Sequence, residues 1–422
     1  MPDLVVPLSP RVQAATRENG YVVARPASSS EWWTSVTQRE ETPELRWPQS
    51  VRVYDRMRRQ DSQVSSVLRA VSHPLLRTPW RVAPNGARPE VVDHVAQDLG
   101  LPVKGVQETV MPRRRDRFSW QKHLREALLM LPLGHMPFEQ VYRWDDRTGL
   151  FRLRKLGPRM PHTITKFNVA RDGGLLSIEQ RGSGTSPVTI PMSRLVIYVN
   201  ELEGGEWWGN SILRSAYKNW LIKDRLLRVD AQSIERNGMG IPAYTAPEGA
   251  NSAGMDAGDE IVAGLRAGDE SGATLPSGAK LELLGVAGNI PSALPSIKYH
   301  DEQIARGVLA HFLNLGNQTG SWALGSTFAD FFSQSLQAIA QEVADTASQH
   351  IVEDLVDVNY GTDEPAPLVV CDEIGSKSLA VAQAIKMLVD AGVLTPDDAL
   401  EAFLRGGLGL PAADQPAPEG TP

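Results

Sequence analysis

Residues 204–238 read GGEWWGNSILRSAYKNWLIKDRLLRVDAQSIERNG, and they set the frame for the rest of the chain. A glycine pair and a tryptophan pair lead into Gly209-Asn210, and a long helical pattern follows. Apolar residues recur at Ile212, Leu213, Ala216, Tyr217, Trp220, Leu221, Leu227 and Ile234, the spacing of a helix face. Asn210 or Ser211 is placed to cap the N-terminus, because a short side-chain oxygen accepts from the first free backbone N–H groups. Asn237-Gly238 is placed to end it, since both tolerate the left-handed conformation. About 25 residues at 1.5 Å each make a rod of about 38 Å. Arg214, Lys218, Lys223, Asp224, Arg225, Arg228, Asp230, Glu235 and Arg236 cover more than half of its circumference. Two readings follow: a surface helix of a large enzyme domain, or a helix that packs side by side with copies of itself.

The chain has 422 residues, enough to bury a large core and to split into two or more domains or layers. Its single cysteine, Cys371, excludes an intrachain disulfide and a cysteine-rich metal site. No signal peptide and no bilayer-spanning helix are expected: the longest apolar stretch, residues 127–138, is short and broken by Pro132 and Gly134. The net charge of −7 argues against tight nucleic-acid binding. It suits a conduit, because every neutralised phosphate adds salt-dependent affinity that a sliding strand must avoid.

In chain order, residues 1–50 read as an irregular arm. A helix is expected from Val51, with Pro74 ending it, then a strand at TPWRVAP and a helix between Pro89 and Gly100. A third helix capped by Ser119 stops at Pro132 and Gly134. Alternating runs follow, two of them joined by Arg171-Asp172-Gly173-Gly174, a strong hairpin signal. So residues 51–203 read as α+β. After Gly240 a Gly/Ala/Ser-rich module carries strands at 241–244, 272–275 and 280–284 and a helix at 256–265. A helix at 297–315 precedes a Gly/Ser/Asn loop at 316–326, and Ser326 or Thr327 is placed to cap a second very long helix. A strand at APLVVCD and two helical runs close the ordered part, and residues 411–422 lack any apolar pattern.

Catalytic signatures are sparse. There is no phosphate-cradling Gly-x4-Gly-Lys-Ser/Thr loop, no Gly-x-Ser-x-Gly elbow and no His-Glu-x-x-His. His300 and His311 stand eleven apart on one expected helix, which suits no single metal. Asp256, Asp259, Glu260, Asp269 and Glu270 form an acidic cluster that reads as a solvated face or a contact for a basic partner before it reads as a cation site. Trp32-Trp33 and Trp207-Trp208 read as packing rather than stacking platforms. No catalytic residue, metal or cofactor is expected.

Residues 194–242 resemble the middle of portal proteins of tailed bacteriophages, of the Mu-like family. The resemblance rests on Gly209-Asn210-Ser211-Ile212-Leu213-Arg214, on Trp220-Leu221-Ile222-Lys223, on Glu235-Arg236-Asn237-Gly238-Met239-Gly240-Ile241-Pro242, and on Trp80-Arg81-Val82-Ala83-Pro84 upstream. The order of elements extends it over about residues 45–410. It implies an α+β subunit with an N-terminal arm (1–50), an α/β wing (51–210), stem helices (211–238 and 297–315), a small αβ clip (239–296), a tunnel loop (316–326), a long helix (327–360), C-terminal wing or crown helices (361–410) and a disordered tail (411–422). It implies a twelve-fold homo-oligomeric ring at one capsid vertex of the virion, assembled in the bacterial host cytoplasm. Double-stranded DNA passes through the ring, without specific binding, during packaging and ejection. Terminase, the major capsid or scaffold protein and a head-tail adaptor would be partners, and no membrane is involved. The tunnel loop would bring Asn317, Gln318, Thr319, Ser321 and Trp322 to the channel. Lys218, Lys223, Arg225 and Arg228 are the basic candidates on the stem. The competing readings are an α+β hydrolase or nucleotide-using enzyme with an unfamiliar site, and a cellular scaffold of long helices.

Overall fold

The computed structural model describes residues 39–106, 118–182, 184, 186–239, 241–264, 273–284, 292–308 and 322–374, with backbone alone at 235–239, 241, 284 and 322–330. Helix and strand mix as the α+β reading requires. The chain divides into two compact units. The first holds residues 1–72, 122–141 and 156–320, and the second holds 73–121, 142–155 and 321–422.

In the first unit, helix α1 (Gln49–Gln60) and the start of α2 (Ser62–Arg77) meet at one non-helical residue. The sequence pattern read a single helix here, ending at Pro74. Instead Asp61 is extended, at φ −101° and ψ 124°; its N–H caps α1 at Met57 O. Its carboxylate Oδ1 accepts the N–H groups of Gln63 (2.9 Å) and Val64 (3.0 Å), the N-cap role of aspartate. Pro74 does not stop α2, since the last turn uses its carbonyl, which accepts from Thr78 N–H and Oγ1–H at 2.9 Å. Short helices α4 (Trp120–Ala127) and α5 (Met130–Leu133) lead into β2 (His135–Asp145), which pairs antiparallel with β7 (Leu195–Val199) from His135↔Val199 to Glu139↔Leu195. β3 (Leu150–Pro158) flanks β2.

A second sheet is β4 (Ile164–Val169), β5 (Leu175–Gln180) and β6 (Val188–Pro191) in that order, all antiparallel. The hairpin expected at Asp172-Gly173 forms: Gly173 is at φ +92°, and Asp172 Oδ1 accepts Gly174 N–H at 2.9 Å. Ile164, Phe167, Leu175, Ile178 and Ile190 of this sheet make one apolar core with Leu195, Ile197 and Val199 of β7, and Trp47, Trp207 and Trp208 pack against it. Then come α6 (Tyr217–Met239), β8 (Ile241–Thr245), α7 (Ser252–Gly264), β9 (Lys280–Leu284) and α8 (Leu294–Gly307). β8 and β9 pair antiparallel, and α7 approaches them at Gly258, where any Cβ would run into the Tyr244 ring. The strand expected at 272–275 is absent from the described residues 273–275, where Ala273 and Thr274 are exposed and Leu275 is half-buried.

In the second unit, β1 (Trp80–Ala83) pairs antiparallel with β10 (Leu368–Cys371), from Trp80↔Cys371 to Ala83↔Leu368. α3 (Pro89–Leu99) ends as expected at Gly100, at φ +63°. α9 (Trp322–Ala347) runs into a π-helical turn, Ser348–Val352, and on into α10 (Glu353–Tyr360). The wide turn has a local cause. Ser348 Oγ donates back to Ala344 O (2.8 Å) and accepts Val369 N–H from β10 (2.9 Å), so one hydroxyl ties helix to sheet. α9 starts earlier than the Ser326/Thr327 cap anticipated, because Trp-Ala-Leu at 322–324 is itself compatible with helix. The helices expected beyond residue 375 and the tail lie outside the described residues.

Candidate functional site

The motif Gly209–Arg214 is the root from which α6 grows. Gly134 (φ +86°) and Gly209 (φ +59°) face each other back to back. A Cβ on Gly134 would collide with Trp208 O; one on Gly209 would collide with Gly134 O and lie 2.7 Å from Asn200 O. Only glycine satisfies both the left-handed backbone and this approach. Around the pair, Asn200 N–H donates to Gly134 O (2.8 Å), Asn210 N–H to Asn200 O (2.9 Å) and Ile212 N–H to Leu131 O (3.0 Å). Asn200 Nδ2 donates to Asn210 O at 2.7 Å.

Asn210 or Ser211 was expected to cap the long helix, and neither does. Ser211 caps a preceding turn instead: its Oγ donates to Pro132 O (2.6 Å) and accepts Leu213 N–H (3.1 Å), and α6 begins six residues later at Tyr217. The backbone of 210–212 is already engaged by residues 131–134 and 200, so helix cannot start there. Arg214, last of the motif, holds Glu40 with two bonds of 2.5 and 2.9 Å. Burial alone would raise the Glu40 pKa, but Arg214 and the Thr42 N–H outweigh it and hold the carboxyl below its usual range.

The root is sealed by aromatic rings. Trp208 stacks on Trp47 at 6.0 Å, Phe167 lies 5.2 Å from both Trp47 and His135, and Trp207 Nε1 donates to Gly173 O at 2.9 Å. This is the packing role expected for the Trp207-Trp208 pair. His135 Nδ1–H donates to Trp208 O (2.9 Å), and burial pushes its pKa down to about 4 despite that bond. His123, fully buried, accepts the Tyr198 hydroxyl at Nε2 (2.8 Å); burial lowers it to about 3 and raises Tyr198.

α6 packs against α8, antiparallel. Ser215 Oγ–H donates to Gly307 O (3.1 Å), His300 Nδ1–H donates to Asn219 Oδ1 (3.0 Å), and Trp220 packs under the Arg56 guanidinium, whose Cζ is 5.0 Å from the ring. Between the helices sits Lys223, 4% exposed. Its Nζ is 2.9 Å from Asp61 Oδ2 and 2.6 Å from Asp301 Oδ1. Burial alone would lower the Lys223 pKa, but the two carboxylates overcome this and raise it. Lys223, expected as a stem cation open to DNA, is therefore turned into the subunit and neutralised there.

The other three candidates fall together. At 100° per residue, Lys218, Arg225 and Arg228 share one face of α6, about 120° wide, with Leu221, Ile222, Val229 and Gln232. All are exposed, Val229 at 53%, and Arg228 pairs with Asp224 one turn back (3.0 Å). Among the tunnel-loop candidates, Asn317, Gln318, Thr319 and Ser321 lie outside the described residues. Trp322 is not in a loop but opens α9. Asp256, Asp259 and Glu260 lie on α7; Asp269, Glu270 and His311 are outside the described residues. Among the described residues no group of His, Cys, Asp and Glu could hold a metal ion, and no helix is long and apolar enough to cross a membrane.

Sequence reasoning missed Asp61, Asp301 and Asn200, and read Gly134 only as the stop of a helix, which it is. Of the three, only Asp61 left a signal, the polar break Gln60-Asp61-Ser62 inside an apolar pattern.

A family model described as the portal protein of Mu bacteriophage matches residues 51–405. The chain belongs to that family. Three solved structures share the fold. A chain in the neck of an empty gene transfer agent particle, computed with C6 symmetry, superposes with TM-score 0.55 at 11% identity, covering 85% of this chain and 94% of that one. A chain in the neck of the native particle, computed with C12 symmetry, gives TM-score 0.53 at 11% identity over 85% and 93%. A chain in the virion of the native gene transfer agent particle gives 0.53 and 11% over the same shares. At that identity the likeness is one of fold. The motif Gly209–Arg214 thus has a physical basis in this chain: it is the close backbone contact and the ion pair that precede and seat α6.

Proposed function

We propose that this portal-family chain assembles into a closed ring, twelve-fold, at one vertex of a phage capsid, and forms the channel through which double-stranded DNA is packaged and ejected. The observation that carries the reading is the outward face of α6: three large aliphatic side chains set among three cations, on a helix whose opposite side is packed in its first turns by Trp220 and Lys223. Exposed aliphatics in a contiguous row favour a protein neighbour over water. A ring needs a heterologous contact between two different surfaces of neighbouring copies, closing on itself. The gene transfer agent necks, computed with C6 and C12 symmetry, support that stoichiometry by fold analogy.

In this reading residues 51–210 form the wing, 211–238 (helical from Tyr217) and 297–315 the stem, 239–296 the clip, 316–321 the tunnel loop, 322–360 the long helix and 361–410 the crown. Lys218, Arg225 and Arg228 give weak contacts to the subunit neighbour or to passing phosphate. Asn317, Gln318, Thr319, Ser321 and Trp322 approach the channel. The subunit docks terminase for packaging, the capsid or scaffold protein at the vertex, and a head-tail adaptor afterwards. Its work is mechanical rather than catalytic, and the acidic chain lets DNA slide. Electron microscopy of the purified protein, with mass by light scattering, tests it. Rings with a hole of about 20 Å or more, wide enough for a duplex, are the expected result. A protein that stays monomeric at high concentration and with its scaffold, and that binds nucleotide, would replace this reading by the enzyme alternative.

A further inference from the structure

Three elements of the first unit converge on one ammonium group. Asp61 is the single residue between α1 and α2, Lys223 lies on α6 and Asp301 on α8. Asp61 ends one helix with its N–H, starts the next with its carboxylate, and offers both oxygens to Lys223, at 3.0 and 2.9 Å. The side chains of Asp61 and Lys223 are 8% and 5% exposed, and that of Asp301 31%. Two carboxylates against one ammonium leave the node with a net negative charge. Burying such a group is not a cheap route to stability, since apolar residues of similar volume do as well or better. What ions supply and apolar residues lack is direction, because the bonds hold only at fixed distances and angles.

We infer that Lys223 is a positioning residue: with Asp61 and Asp301 it sets the angle at which α2 leaves the α6–α8 helix pair. Because Asp61 is also the hinge residue between α1 and α2, any displacement of α6 or α8 pulls on the N-terminal cap of α2. The joint between the two helices is thereby slaved to the stem pair rather than left free to bend at its one extended residue.

The test is a distance measurement in the full chain, with Cys371→Ser and nitroxide labels at Ser66→Cys on α2 and Ala231→Cys on α6, both exposed positions, diluted with unlabelled chain. The decisive variant is Asp61→Asn/Lys223→Met/Asp301→Leu. It keeps a capping side chain on α2 and fills the node with apolar volume. A narrow distribution in the parent that broadens and shifts its maximum in this variant, at unchanged helix content, is the expected result. A variant that keeps the parent's narrow peak overturns the inference, since the node then merely fills space. Should the triple variant not fold, Asp301→Asn alone, at the most exposed member, carries the same expectation of a broadened peak. An unchanged peak there overturns it equally.

Discussion

The two halves of α6 look alike in sequence and live in different surroundings. In the first half Tyr217, Trp220 and Lys223 are buried, and Trp220 and Lys223 each have a partner: a guanidinium over the indole and two carboxylates on the ammonium. In the second half Leu227, Val229 and Ile234 are exposed, the last at 67%, and Arg228 reaches the aspartate one turn away. Both halves carry cations spaced through aliphatic residues. One side of the first half is finished within the subunit, while Lys218, Leu221 and Ile222 on its other side stay exposed. The second half offers Leu227, Val229 and Ile234, which no described residue covers. A cation's role on this helix is therefore set by what other segments bring to it.

Four experiments sharpen or break that contrast, starting at the root. Gly209→Val should cost about 4 kcal/mol, since it forces a branched residue into the left-handed region and into the carbonyls of Gly134 and Asn200. Urea denaturation reads this directly, and a parent-like midpoint would mean that the root does not hold the helix. Next, Lys223→Ala should cost about 3 kcal/mol, because it leaves two partly or fully buried carboxylates facing each other. A loss within about 0.5 kcal/mol, the range of ordinary surface changes, would place Lys223 with the outer half.

The third experiment uses acid. His135 and His123 titrate at about 4 and about 3 in the fold, against 6.5 in the unfolded chain. Below pH 6.5 the unfolded chain binds protons that the folded one refuses, so stability falls as pH drops toward 4. Each such ring contributes a slope of about 1.4 kcal/mol per pH unit in that window. His135→Asn should remove one ring's share, and an unaltered slope between about pH 6 and about pH 4.5 would contradict the burial of that imidazole. The smallest effect on folding belongs to Arg225→Glu/Arg228→Glu, which should shift the denaturation midpoint by no more than about 0.5 kcal/mol. The same double variant should reduce ring formation seen by light scattering. Rings that form undiminished would remove the outer half from the subunit contact.

Much of the fold was legible because it depends on local spacing. The 3.6-residue pattern located α6, α8 and α9, and period-two alternation with Asp172-Gly173 located β4 and β5. Errors fell where a distant segment competes for the same backbone groups. Ser211 has a capping side chain, yet residues 131–134 claim the backbone around it. Pro74 has a breaker's chemistry, but its carbonyl still serves the final turn of α2. At the site, three of the four basic candidates proved exposed on one face, and Lys223 did not, because Asp61 and Asp301 come from 162 and 78 positions away.

By itself the sequence determined the family, the mixed helix-and-sheet class and the long helices, all of which follow from short-range periodicity and ordered motifs. Tertiary structure alone decided which cations are spent inside the subunit, why residues 209 and 134 must both be glycine, and where one long helical pattern divides into α1 and α2. Those outcomes depend on close approach between segments remote in the chain, and distances of that kind leave no period in the sequence.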